Sequence, residues 1–432
     1  MPKTRWPQAG SLCLVLFTAG CALAQPEPHA PAARAQTEAA AVQGVARPAH
    51  DYGRMLYSSP SQPPGAAEGS APPMGVRAGS IALLLPLSGS FSTTGEAVRD
   101  GFLAAHFNSR SQTAVRVYDV GSRDDLLQPA YQRALGEGAA LIVGPLRKES
   151  VAQLASWNPP VPVIALNYLD AGTGVPFNFL QMGLAPEDEA RAAADHALRQ
   201  NRRRAVALIP QTEAGERTYA AFEQRLREQG GSVVRVARYV PGRADQSQAI
   251  EGLMGGAASE ERHRALTATL GVKTVFESRR RGDLDLIFMV ARAADARLLA
   301  PQFRFHRSGD LPIYATAQVY DGGGDADRAG IRFCDTPWTV GDAVIWAPQR
   351  LEVEGLASVA ALPRLHALGR DAQRVAQGLT QGSLRRGDGL DGASGRLQWR
   401  DSGQIERLPE CVQLRGDGVR PLSAPTGATR LP

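Results

Sequence analysis

The chain has 432 residues, is 43% hydrophobic and 21% charged, and carries 45 Gly and 30 Pro. That length accommodates two ordinary domains, and the composition argues against a bundle of membrane spans. The formal net charge is +5, almost all of it from Arg because the lysines are Lys3, Lys148 and Lys273; a modest excess spread along the chain, with no nucleic-acid motif beside it, argues against a nucleic-acid partner.

At the N-terminus, Lys3 and Arg5 precede a short apolar run over 12–17, too short to span a bilayer. It reads as a secretory signal. The run ends in "TAGC" at Cys21, with small residues before the cysteine, as a bacterial lipoprotein signal over 1–20 requires. Thr18 stands where such boxes usually carry Leu. Lipidation of Cys21 predicts a lasting anchor, since each buried CH₂ is worth about 0.8 kcal/mol. Ala22 rather than Asp after the cysteine points to the periplasmic face of the outer membrane. The alternative is an ordinary signal cleaved after "CALA". Cys13 leaves with the signal, so Cys334 and Cys411 remain as an even pair in an oxidising compartment, either bonded or as two buried thiols.

Residues 21–78 are rich in Ala, Pro, Gln and Gly ("QPEPHAPAARAQTEAA", "SSPSQPPGAAEGSAPP") and show no periodicity. They read as a disordered linker. Fully extended it reaches roughly 180 Å, and as a coil about 40 Å. The island "DYGRMLYSS" at 51–59 reads either as a sticky patch of linker or as a short binding motif.

From Ser80 strands and helices alternate, which predicts parallel sheets covered by helices. "SIALLLP", "AVRVYDV", "AALIVGP" and "VPVIALN" are strands, with helices over 96–108, 126–136 and 148–157 between and after them. A short strand near Phe179 precedes "APEDEARAAADHALRQ", which opens with Pro186 and three acids as a helix start should. "RRAVALIP", "GGSVVRVARYV", "DLDLIFMVA" and "LPIYAT" are further strands, with helices over 215–229, 246–256 and 259–270. A long helix is predicted over 362–379, and "GRLQWRDSGQIERLPECVQL" alternates as an antiparallel segment turning at Asp401–Gly403. The fold class is therefore α/β, with two doubly wound lobes joined by crossing strands. The first lobe is expected over 79–182 and 317–390, the second over 183–316 and 391–415, and 416–432 as a flexible tail.

"LPLSGSFSTTGEAVRDG" resembles the opening of type 1 periplasmic-binding-protein folds, where strand one feeds a small-residue ligand loop. "IVGPLRKESV", "NYLD", "GLAPEDEA", "FESRRRGDLDLIFMVA", "PQFRFHRSGDLPIYATAQVYDG" and "GIRFCDTPW" narrow the match. Together these blocks, over roughly 80–415, resemble the LppC lipoprotein family, activators of penicillin-binding proteins. The resemblance implies an outer-membrane lipoprotein that stimulates a class A penicillin-binding protein, a peptidoglycan synthase, by direct contact. The best-known activators carry a helical-repeat domain before the binding-protein-like one; here the linker is expected in its place.

In solute-binding proteins of this fold the loop after strand one holds an amino-acid carboxylate, because open amides and the helix dipole favour an anion. Candidate cleft residues are Ser88, Ser90, Ser92, Thr93 and Thr94, with Gly144, Ser150, Asn167 and Tyr168 at neighbouring strand ends. They form either a small-molecule site or an inherited cleft whose Ser and Thr cap a helix. Arg279, Arg280 and Arg281 form either a partner-facing patch or pairs with Asp283 and Asp285. Trp338 is either a surface contact or core beside the cysteines. Catalysis, cofactors and metals find no support: His29, His50, His106, His196, His263, His306 and His366 show no metal spacing, and no HExxH, GxSxG, GxGxxG or phosphate-loop motif occurs. The rival function is a periplasmic solute-binding or sensing protein for an amino acid or wall fragment.

Overall fold

The computed structural model describes residues 76, 79–122, 125–170, 173–272, 275–277 and 279–422. The signal, Cys21, the 51–59 island and residues 423–432 lie outside the described residues.

The first sheet is built from β1 (Ser80–Leu85), β2 (Val115–Asp119), β3 (Ala139–Val143), β4 (Val163–Ala165) and β5 (Phe179–Gln181), in the order β2-β1-β3-β4-β5 and parallel throughout. β1 is buried along its whole length and apolar from Ile81 on, because both of its faces are covered. Ile81, Leu83 and Leu85 pack with Val98 and Phe102 of α1 (Ser92–Asn108). Ala82 and Leu84 point the other way, toward Tyr131 of α2 (Leu127–Gly136) and Leu154 of α3 (Lys148–Ser156).

The second sheet carries β6 (Arg204–Pro210), β7 (Ser232–Tyr239), β8 (Leu286–Met289), β9 (Ile313–Thr316), β10 (Arg332–Asp335), β14 (Glu410–Arg415) and β15 (Gly418–Pro421), in the order β15-β14-β10-β9-β8-β6-β7. The pairings from β7 to β10 are parallel, and those of β10 with β14 and of β14 with β15 are antiparallel. One face is covered by α4 (Pro186–Arg199) and α5 (Glu213–Glu228). The other is covered by α6 (Ser247–Met254) and α8 (Ala293–Phe305), while α7 (Gly256–Leu270) lies outside that core.

After β10 the chain returns to the first lobe through α9 (Pro337–Val340), α10 (Ala343–Leu351), α11 (Ala357–Ala361) and α12 (Pro363–Thr380). α12 packs on α1 at very short range: a Cβ at Gly369 would lie 2.1 Å from the Val98 carbonyl oxygen, and one at Gly101 2.0 Å from that of His366. Only glycine permits this approach. An antiparallel sheet of β11 (Gly389–Asp391), β12 (Arg396–Trp399) and β13 (Ile405–Leu408) follows. Its Leu397, Trp399 and Ile405 enter the first core, and the Gln181 amide donates to the Gly403 carbonyl.

Three expectations are corrected here. β10 belongs to the second sheet rather than the first lobe, because its backbone pairs with β9 and β14. The stretch 391–408 belongs to the first lobe, where its apolar face is buried. Residues 418–421, expected as tail, form a strand on β14. Cys334 and Cys411 oppose each other in the β10–β14 ladder and are disulfide-bonded. Trp338 is packed core, against Trp346 and His366.

Candidate functional site

The carboxyl ends of β1, β3 and β4 bring together the loop after Leu85, Gly144 and Asn167, as the parallel topology requires. α1 starts at Ser92, four residues before the expected position, after a short 3₁₀ turn over Gly89–Phe91. The early start follows from Gly95, where a Cβ would lie 2.0 Å from the Pro86 carbonyl oxygen, so the helix folds directly onto the strand end. The N-cap is Phe91 and no side chain caps the helix, so the expected Ser or Thr cap is absent there. Ser88 instead hydrogen-bonds Asp119. Burial works against the ionised Asp119 carboxylate, but hydrogen bonds from Ser88, Gly121 and Leu87 outweigh it and hold its pKa below the usual range. Ser90 and Thr93 are exposed, Ser92 is half-buried and Thr94 is buried. Across the loop mouth the Arg147 guanidinium stands 5.1 Å from the Phe91 ring centroid and donates to the Ser122 carbonyl.

The remaining cleft candidates are bound into the frame. Gly144 has φ +103°, with the Leu84 carbonyl oxygen 2.2 Å from where a Cβ would sit. Ser150 is fully buried. The Asn167 amide donates to the Leu146 carbonyl at 3.1 Å, and its oxygen accepts the Tyr168 amide at 2.9 Å. The Tyr168 hydroxyl reaches the Ile405 carbonyl at 3.3 Å. Among the described residues, no group of three or more His, Cys, Asp or Glu is placed to hold a metal ion.

Where the lobes meet, charges are buried in pairs. Glu189 on α4 accepts the Ala317 amide at 2.8 Å and the Arg407 guanidinium of β13 at 3.1 Å. Burial pushes the Glu189 carboxyl up to about 7, with Arg407 opposing it. Arg364 of α12 grips both carboxylate oxygens of Asp335 on β10 and donates to the carbonyls of Ala317 and Tyr320. Each pair has one member in each lobe. Glu187 and Asp188, read in the sequence as acids favoured by the helix dipole, are also buried, beside Arg217 and Arg191.

The arginine run is mostly neutralised. Arg281 pairs with Asp283 and Arg280 with Asp310. Asp285, the other expected partner, instead accepts the backbone amides of Arg203 and Arg204. Arg279 is exposed, its backbone amide donating to Ser259.

A family described as "LppC putative lipoprotein" matches residues 75–415. The chain belongs to the LppC family. The penicillin-binding protein activator LpoA of Photobacterium profundum is 25% identical over 350 residues, covering 79% of this chain and 56% of the relative. The LpoA of Vibrio cholerae is 27% identical over 344 residues, covering 77% and 56%. The LppC chain thus spans about half the length of the curated relatives it matches. Its fold is that of the Haemophilus influenzae LpoA C-domain, described as a regulator of PBP1A, with a TM-score of 0.62 and 22% identity over 80% of this chain and 100% of that one. A Chromobacterium violaceum protein described as "a putative branched-chain amino acid ABC transporter" also has a TM-score of 0.62, with 24% identity over 78% of this chain and 99% of that one. The LppC domain is therefore type 1 periplasmic-binding-protein-like, as its opening loop implied.

Composition and motif left Arg407, Arg364 and Asp335 unmarked, and read Glu189 only as one of three acids at a helix start. Their sequence signals are faint: an acid in a helix's first turn and arginines on regular elements. Only the assembled lobes reveal their burial.

Proposed function

We propose that this protein activates a class A penicillin-binding protein by direct contact, as a non-catalytic lipoprotein anchored through Cys21 to the outer membrane and facing the periplasm. The observation that carries this reading is the LppC match across 75–415, the described domain almost in full, together with relatives named as activators. The linker residues raise the domain's effective concentration near a synthase in the opposing membrane. Docking biases the synthase toward its active conformation through contacts made only in that state.

The cleft supports this reading over solute capture. The polar groups that a ligand would recruit, Asn167 and Tyr168 among them, are committed to the protein's own backbone.

The test is a pull-down of the chain with the organism's purified penicillin-binding proteins, followed by glycan-polymerisation and crosslinking assays. Stimulation of one class A synthase is expected. No synthase binding, with an amino acid or muropeptide raising the melting temperature instead, would overturn the reading in favour of solute sensing.

A further inference from the structure

α1 runs about 25 Å from the cleft loop to its C-terminus. There, on the far side of the first lobe, the end of α1, α10 and α12 enclose a groove of about 650 Å³. Arg370 of α12 lines it and is only 7% exposed. One guanidinium nitrogen donates to Gln349 at 2.6 Å, while the other terminal nitrogen is buried with no hydrogen-bond partner. The guanidinium carbon stands 4.9 Å from the Trp338 ring centroid, a cation–π contact that holds the charge without neutralising it.

Two carboxylates line the same groove, and neither pairs with Arg370. Asp371 is committed to the amides of Ala393 and Ser394 and to the Ser394 hydroxyl, and Glu352 accepts the Asn108 amide at 2.6 Å. Among the described residues no ion pair to Arg370 forms. Arg110 and Arg374 also line the groove, and the Arg374 guanidinium donates to the backbone carbonyl of Asp391. Glu352 and Asp371 act on the Arg370 charge through space but leave its second terminal nitrogen unmatched, a buried donor that an incoming carboxylate would satisfy.

The rim says what carries that carboxylate. On the groove side α10 contributes Trp346 and Gln349. Phe107, 72% exposed, borders the groove beside Trp346. A free ion would use the Arg370 floor and leave this rim wet. A protein segment with an acidic residue flanked by apolar ones fills both, with Arg and aromatic anchors at its centre.

We infer that the α1–α10–α12 groove is the docking site for such an acidic, apolar-flanked segment of the synthase, its carboxylate seated on Arg370. The partner's identity rests on the activator reading; the groove and its chemistry rest on the geometry above.

The test measures the affinity of the full-length chain in detergent for a purified class A penicillin-binding protein. Arg370→Met is expected to weaken binding about tenfold or more without lowering the melting temperature. Phe107→Asp, a surface change at the groove mouth, is expected to weaken it about tenfold, while Val344→Asp on the opposite face of α10 and Arg281→Ser on the second lobe leave it unchanged. Wild-type-like binding by the folded groove variants overturns this inference and leaves the activator reading standing. No binding by the wild type overturns that reading, and the inference with it. A muropeptide that binds through Arg370 while synthase affinity stays unchanged overturns the inference as well, assigning the groove to a small wall fragment.

Discussion

The two ends of α1 differ in how their polar groups are spent. At its start, several of the polar groups around the loop that in solute-binding proteins takes a ligand are spent internally, Ser88 on Asp119, Asn167 on Leu146 and Tyr168, and Arg147 over Phe91, while Ser90 and Thr93 stay exposed. At its end, Arg370 is buried with a terminal nitrogen unmatched beneath an apolar rim. A binding-protein fold can retire its ancestral site by satisfying that site's hydrogen bonds internally. Recognition is then sought where a buried hydrogen-bond donor is left without a partner.

The largest test concerns the charge pairs where the lobes meet. At pH 8, Arg407→Met leaves the Glu189 carboxylate buried without its guanidinium and is expected to cost about 3–5 kcal/mol in denaturant unfolding. The double variant Arg407→Met/Glu189→Leu should recover most of that loss. If the single change is silent, the lobes are not held by this pair and the cleft regains standing as a ligand site.

Next comes the histidine beside the groove. Burial holds the His366 imidazole neutral, its pKa lowered to about 4, against Trp338. Between about pH 6.5 and 4 the unfolded chain takes up a proton that the native state refuses, so stability falls as pH falls through that window, by about 2 kcal/mol at pH 5. Glu189 acts with the opposite sign: its native carboxyl keeps a proton that the unfolded chain releases, so its contribution falls as pH rises from about 4.5 to 7. The two are separated by comparing wild type with His366→Phe, which should lose the His366 share of the acid-side slope, leaving that of His196, which burial also lowers to about 4, and the Glu189 contribution intact.

Asn167→Ala removes a donor to Leu146 and orphans the Tyr168 amide, for an expected loss of about 1–3 kcal/mol in unfolding free energy. Synthase stimulation, assayed below the melting temperature, should not change. A change in stimulation with stability intact would show the cleft governing the partner. Smallest of all, Ser90→Ala and Thr93→Ala should shift stability by no more than about 0.5 kcal/mol and leave stimulation alone.

Much of the fold was legible because both sheets are covered on two faces and their strands read as apolar runs. α8 and α10 escaped prediction, and each carries an internal proline, Pro301 and Pro348, that reads as a breaker. β10 and β15 are four residues each, too short to show a period, and their place follows from pairing with distant strands. That missed pairing also put the late lobe boundaries in the wrong place. The cleft residues were correctly set at strand ends, but whether a hydroxyl or amide is free depends on partners far away in sequence. Arg370 lies inside the predicted helix 362–379; its isolation depends on α10, which the sequence did not reveal.

The bond between Cys334 and Cys411 spans 77 residues, and almost everything within that span is built into the first lobe while its two ends sit in the second. It is a covalent ring threaded through both bodies. A protease cutting any loop from 336 to 409 opens the ring without dividing the molecule. The nicked protein should migrate as one species until reductant is added, and only then as two.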